Sequence, residues 1–199
     1  MRSIHRISRS IALSTLVLAL GSVSVARAQT AQDPRVAEAK GLIKEFATTL
    51  KGELQAAMKA GGPTQAIKVC QERAPAIAQE ISERSGWEVG RTSLKTRNTA
   101  LNAPDDWERT VLVKLDERKA AGESAQTLAF FEETEDADGN TSFRFMKAIP
   151  TAQVCLACHG SAITPEVAAA IDAAYPEDQA RGYALGDLRG AFSVSKPVD

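Results

Sequence analysis

Apolar residues recur at helical spacing over residues 35–60, at Val36, Ile43, Phe46, Leu50 and Leu54, and predict a long amphipathic helix. Gly61-Gly62 breaks that pattern, and Pro63 suits the first turn of a second helix. On the second helix Ile67, Cys70, Ala74, Ile77 and Ile81 follow one another at alternating steps of three and four, a single buried stripe that includes a cysteine. Two antiparallel helices joined at Gly61-Gly62 are the simplest arrangement. Pro75 falls inside the second helix. It cannot donate to the carbonyl of Gln71, so a kink just after Cys70 is expected.

The pattern then shortens. Trp87 to Leu94 reads as a strand, followed by a polar loop from Lys95 to Ala103. Pro104-Asp105-Asp106 starts a third helix with acids at its N-terminus; Lys119 lies near its end and Gly122 closes it. Thr127–Thr134 and Thr141–Ile149 alternate as strands around the hairpin signal Asp138-Gly139-Asn140. Thr164-Pro165 opens a short helix that Pro176 ends, and Gly190–Ser195 is a final strand. Without repeats or a clear linker, the expected architecture is one α+β domain with an antiparallel sheet and an N-terminal helical hairpin.

Residues 1–28 are expected to be a secretory signal peptide. Arg2, His5, Arg6 and Arg9 make a basic start, Ile11–Val25 an apolar core, and Ala26-Arg27-Ala28 a small-x-small cleavage site. The apolar run is short for a membrane span and interrupted by Ser14, Gly21, Ser22 and Ser24. The expected product is a periplasmic domain, 29–199, that does not span a membrane. The leader takes four of the 24 basic residues and none of the 25 acidic ones, leaving 171 residues with a net charge of −5. That balance argues against nucleic-acid binding, which favours a basic face.

Cleavage also removes His5, so His159 is the only histidine of the exported form, beside Cys70, Cys155 and Cys158. Cys155-Leu156-Ala157-Cys158-His159 has the C-x-x-C-H spacing of covalent c-type haem attachment. Positions i, i+3 and i+4 share one helical face, so two thioethers and an axial imidazole can form from one turn. A redox disulfide does not need the following histidine. A zinc site from the three cysteines and His159 would force adjacent Cys158 and His159 onto neighbouring corners of one tetrahedron, without a second C-x-x-C. One covalent haem c, held by Cys155 and Cys158 with His159 on the iron, is therefore expected. For Cys70 the residues alone leave several roles open: an iron ligand, a small buried apolar group, or half of an intermolecular disulfide. Met58, Met146 or water are the other candidates for the sixth position.

With these residues in view, the chain resembles a bacterial family of single-haem proteins catalogued as a domain of unknown function, one member of which is cyanobacterial. The resemblance rests on Ala66–Cys70, Gly90–Asn98, Asn102–Glu108, Cys155–Gly160 and Gly182–Ala191, in that order. It implies a PAS-like α+β fold with one covalent haem c whose iron is held by His159 and Cys70. The family pattern often carries Pro after the Arg97-Asn98 pair, where this chain has Thr99.

A thiolate favours Fe(III), so His/Cys ligation predicts a low potential. Loss of Cys70 from the reduced iron would open a site for CO or NO. The expected role is a sensor of redox state or a diatomic gas that signals through an unknown protein partner; an electron-transfer cytochrome is the alternative. Enzymatic peroxidase chemistry is not expected, because no second histidine of the exported form can act as acid or base. Haem propionates need cationic partners, for which Arg91, Lys95 and Arg97 are candidates and Arg144 a further one. Phe143 and Phe145 make one strand face aromatic, able to line haem or to pack in the core.

Overall fold

A computed structural model of the chain describes residues 33–198; the expected leader, residues 1–28, lies outside them. The N-terminal helical run α1 (Pro34–Lys68) starts on an Asp33 cap and is broken at Gly61 and Gly62. Gly62 sits at φ 69°, open to glycine with little strain, and the chain reverses there. The second arm returns along the first. Arg73 pairs with Glu53 at 2.8 Å and Arg84 with Glu45 at 2.8 Å, fixing an antiparallel register. Phe46 and Leu50 of the first arm pack on Ala74, Ile77 and Ile81 of the second, which is the expected hairpin.

Around Pro75 the structure differs from a simple kink. Val69–Arg73 forms a π-helical turn, closed by the Ala74 N–H donating to the Val69 carbonyl, before α2 (Ala74–Ser85) resumes α geometry. Pro75 lacks the N–H that an α turn would aim at Gln71. Widening the turn by one residue absorbs that loss without breaking the helix. Cys70 lies on this widened turn.

Strands β1 (Glu88–Thr92), β2 (Ala129–Glu135), β3 (Thr141–Pro150) and β4 (Leu188–Pro197) form an antiparallel sheet in the order β1-β4-β3-β2. Both faces are covered, as the alternation along β3 requires. Phe143 and Phe145 pack with Val36, Ala39, Ile43 and Trp87, so the aromatic face is core. Met146 and Ala148 face Val111, Leu112 and Leu115 of helix α4 (Asp106–Ala120), which starts on a capping box between Asp105 and Glu108. Ahead of it, the expected polar loop contains a one-turn helix, α3 (Thr99–Asn102), capped by the Asn98 side chain. Thr99 is its first residue, a position that suits Pro equally well, so the departure from the family pattern leaves the turn intact. No helix among the described residues is long and apolar enough to cross a membrane.

Candidate functional site

β3 delivers the chain to the C-x-x-C-H turn. Thr151 is buried at its end, exchanging backbone hydrogen bonds with Gly186 and Asp187, both 2.8 Å. A 3-10 turn (Gln153–Cys155) then runs into α5 (Leu156–His159), which presents all three motif residues to one cleft. Helix α6 (Pro165–Ala174) buttresses this turn, its Val167 and Ile171 packing with Ile67, Tyr175 and Cys158.

The cleft lies between the helical hairpin and the end of the sheet. Its empty space is about 1110 Å³ with the open mouth included. One wall is the stripe Leu50, Leu54, Met58 of α1 with Ile67 and Cys70. Cys155, Cys158 and His159 come from the motif turn, Tyr175 follows α6, and Arg91, Arg97 and Arg189 bring positive charge. Met146, by contrast, is fully buried in the core on the other face of the sheet and is no candidate for this site.

The His159 ring is oriented from behind. Its Nδ1 lies 2.8 Å from the Ala180 carbonyl, so it carries the proton and Nε2 is left as the acceptor. Burial, with Arg189 and Arg97 nearby, holds the imidazole well below the usual histidine range, hence neutral and fit to bind a metal. Backbone bonds from Tyr183 to the His159 carbonyl (2.9 Å) and from Gly182 to the Gly160 carbonyl (3.1 Å) tie the motif to the same loop. Burial pushes the Cys70 thiol up, while Arg91, Arg97 and Arg189 pull it down. The Cys158 thiol is likewise raised by burial. All three cysteines are free and half-buried.

The expected propionate partners separate. Arg91 lines the cleft, half-buried, 5.4 Å from the Phe46 ring, with no carboxylate beside it in the described structure. Lys95 stands outside the cleft: its Nζ donates to the Arg181 carbonyl and sits over the Tyr183 ring. Arg97 lines the cleft, but Nε donates to Asp178 (2.9 Å) and Nη2 to the carbonyls of Cys158 (2.6 Å) and Ala180 (3.2 Å). Its work is holding the motif turn. Arg144 is elsewhere, paired with Asp105 at 2.6 Å and stacked on Trp107.

Sequence reasoning missed Arg189 and Asp178. Gly190 pairs with Ile149 and Leu188 with Pro150, so Arg189 is the extra residue of a β-bulge. The bulge turns its side chain to the cleft, with Nη1 on Ser93 Oγ (3.1 Å) and the Lys95 carbonyl (3.3 Å). Gly190 has φ 151°, and a Cβ there would lie 2.3 Å from the Thr92 carbonyl oxygen. Arg-Gly at a strand start is the one sequence signal for this bulge. Asp178, 1% exposed, accepts from Arg97, Arg181 and the Ala180 N–H; burial raises its pKa, but these donors outweigh it and hold it low.

Among the described residues, no three His, Cys, Asp or Glu side chains converge on a point that could hold a metal ion. The donor set fits an iron porphyrin better: thiols and an imidazole spread around an apolar-walled cleft, with the half-buried guanidiniums of Arg91 and Arg189 lacking carboxylate partners.

Residues 14–197 match the family described as Tll0287-like. Among solved structures, the crystal structure of the cyanobacterial heme-protein Tll0287 is similar, with a TM-score of 0.63 and 22% identity, covering 84% of this chain and 98% of that one. At that identity the likeness shows the fold. A comparison with curated proteins gives no match.

Proposed function

The chain belongs to the Tll0287-like family, and on that premise we propose that it is a periplasmic c-type haem protein that senses redox state or a diatomic gas. The similar cyanobacterial structure is titled a heme-protein. The observation that carries the reading is one cleft lined by Cys155, Cys158, His159 and Cys70 together. Cys155 and Cys158 would add their thiols across the two vinyl groups, and His159 Nε2 and Cys70 would be the protein's ligands to the iron. Arg91 and Arg189 would receive the propionates, in place of Lys95 and Arg97.

Once bound, the haem supplies one-electron chemistry and affinity for CO and NO. The chain's own contribution is a neutral, fixed imidazole and a thiol in an apolar setting. Cys70 is the residue that would exchange: its thiolate would be held by an oxidised iron, and its thiol would take up a proton and leave once that iron carried one positive charge less. A protein partner would read the change. The motif turn, not an acid–base pair, dominates the site, so no enzymatic role is proposed.

Met58 on the cleft wall favours a second reading. Met/His ligation raises the potential and suits an electron carrier whose ligands stay in place. Visible and EPR spectra of matured protein and of Cys70→Ala, ferric and ferrous, separate the two. Sensing predicts a thiolate signature in the ferric wild type, absent from Cys70→Ala, and CO binding to the ferrous form. Spectra insensitive to Cys70→Ala, with no CO binding, would favour the carrier.

A further inference from the structure

We propose that Arg97 is a positioning residue that sets the potential of the haem iron from behind the proximal histidine, through the carbonyl of Ala180. This rests on the haem reading above and goes beyond it, because the ligand set alone assigns Arg97 no part in the redox chemistry.

The Ala180 carbonyl accepts twice. One hydrogen bond comes from His159 Nδ1 at 2.8 Å, the other from Arg97 Nη2 at 3.2 Å. The hydrogen bond at the non-ligating nitrogen controls how strongly an imidazole donates to its metal. A strong acceptor draws the proton away, makes the ring more imidazolate-like and stabilises Fe(III). A carbonyl already shared with a guanidinium is a poorer acceptor. Arg97 therefore weakens the pull on the His159 proton, leaves the ring closer to neutral imidazole, and tilts the iron toward Fe(II).

The arginine cannot drift from this task. Asp178 accepts from its Nε at 2.9 Å and from the Ala180 N–H at 3.0 Å, so one carboxylate fixes both the arginine and the residue that carries the shared carbonyl. The same Nη2 holds the Cys158 carbonyl at 2.6 Å, which registers the clamp to the haem-bearing turn itself. Arg97 and Asp178 neutralise each other as a buried pair, with the side chains 9% and 1% exposed. Arg97 thus acts through the local hydrogen bond more than as an uncompensated charge.

The test is a potentiometric titration and resonance Raman spectroscopy on matured haem-loaded protein carrying Arg97→Gln. The iron–histidine stretch is read in a ferrous Cys70→Ala/Met58→Leu background, where no cleft thiol or thioether side chain can fill the opposite position. The expected result is a lower midpoint potential together with a higher iron–histidine stretching frequency. A lowered potential with an unmoved stretch would mean a charge effect alone and would overturn the proposal, as would no change in either.

Should Arg97→Gln fail to fold, Arg97→Lys keeps the charge while losing the fork that spans Asp178 and two carbonyls. It is expected to move the stretch in the same direction by less, and an Arg97→Lys protein with the wild-type stretch overturns the proposal. Wild-type protein whose mass shows no attached porphyrin removes the haem reading, and this inference with it. Porphyrin attached with an insensitive stretch removes only the inference.

Discussion

Arg91 offers a test in which the sign of the effect reverses with the state of the cleft. Its guanidinium is half-buried and has no carboxylate partner among the described residues, and burial holds its pKa below the usual arginine value, with Cys70 and Tyr175 opposing. In protein made without haem, Arg91→Met removes an unpaired, half-buried cation and keeps the long apolar stem that lies by Phe46. A fully buried unsatisfied group costs about 1–3 kcal/mol and a half-buried cation less, so the variant should be more stable by no more than that. In haem-loaded protein the same change strips a propionate of its partner, and breaking a buried pair costs about 3–5 kcal/mol. For a domain of this size each kcal/mol shifts Tm by about 2–4 °C. The variant should therefore melt up to about 12 °C higher without haem and about 6–20 °C lower with it. Differential scanning calorimetry on both forms, alongside wild type, reads the four values. A shift of the same sign in both forms would refute the assignment of Arg91 to an anionic ligand group.

Other expectations follow from the same geometry. Replacing Cys155 and Cys158 by Ser should abolish covalent attachment, read as loss of the porphyrin mass from denatured protein. Gly190→Ala should destabilise by about 2–6 kcal/mol, combining a strained φ with overpacking against the Thr92 carbonyl, and urea unfolding would measure it. Asp178 has a folded pKa below its unfolded value of about 3.9. Its stabilisation is present above that unfolded value and lost as pH falls through the folded one, so acid unfolding of Asp178→Asn should show a shallower pH dependence below about pH 4.

The long apolar periods were the legible part of the fold. The hairpin turning at Gly61-Gly62, the strands flanking Asp138-Gly139-Asn140 and the capped α4 all carry their signals locally, in spacing, glycine and acid placement. The C-x-x-C-H motif is legible for the same reason; spacing places Cys70 only on a buried stripe, and its part as a ligand comes from the resemblance alone. What sequence spacing could not show is where the arginines point. Arg97 and Lys95 sit in one short loop, yet one turns to Asp178, 81 residues away, and the other to the Arg181 carbonyl, 86 away. Arg189 reaches the cleft because a bulge adds a residue against β3, a pairing event invisible along one strand. The kink expected at Pro75 became a widened turn because neighbours on both sides hold the helix continuous.

That widened turn lets one segment serve two masters. Ahead of it, Ile67 packs with α6 and the motif-bearing body; behind it, Ala74, Ile77 and Ile81 pack with the long first arm. A regular helix would lock those two faces at one angular offset, whereas an inserted residue lets each settle on its own neighbour. Cys70 sits at the joint between them, so a shift of either body is transmitted to the sulfur first.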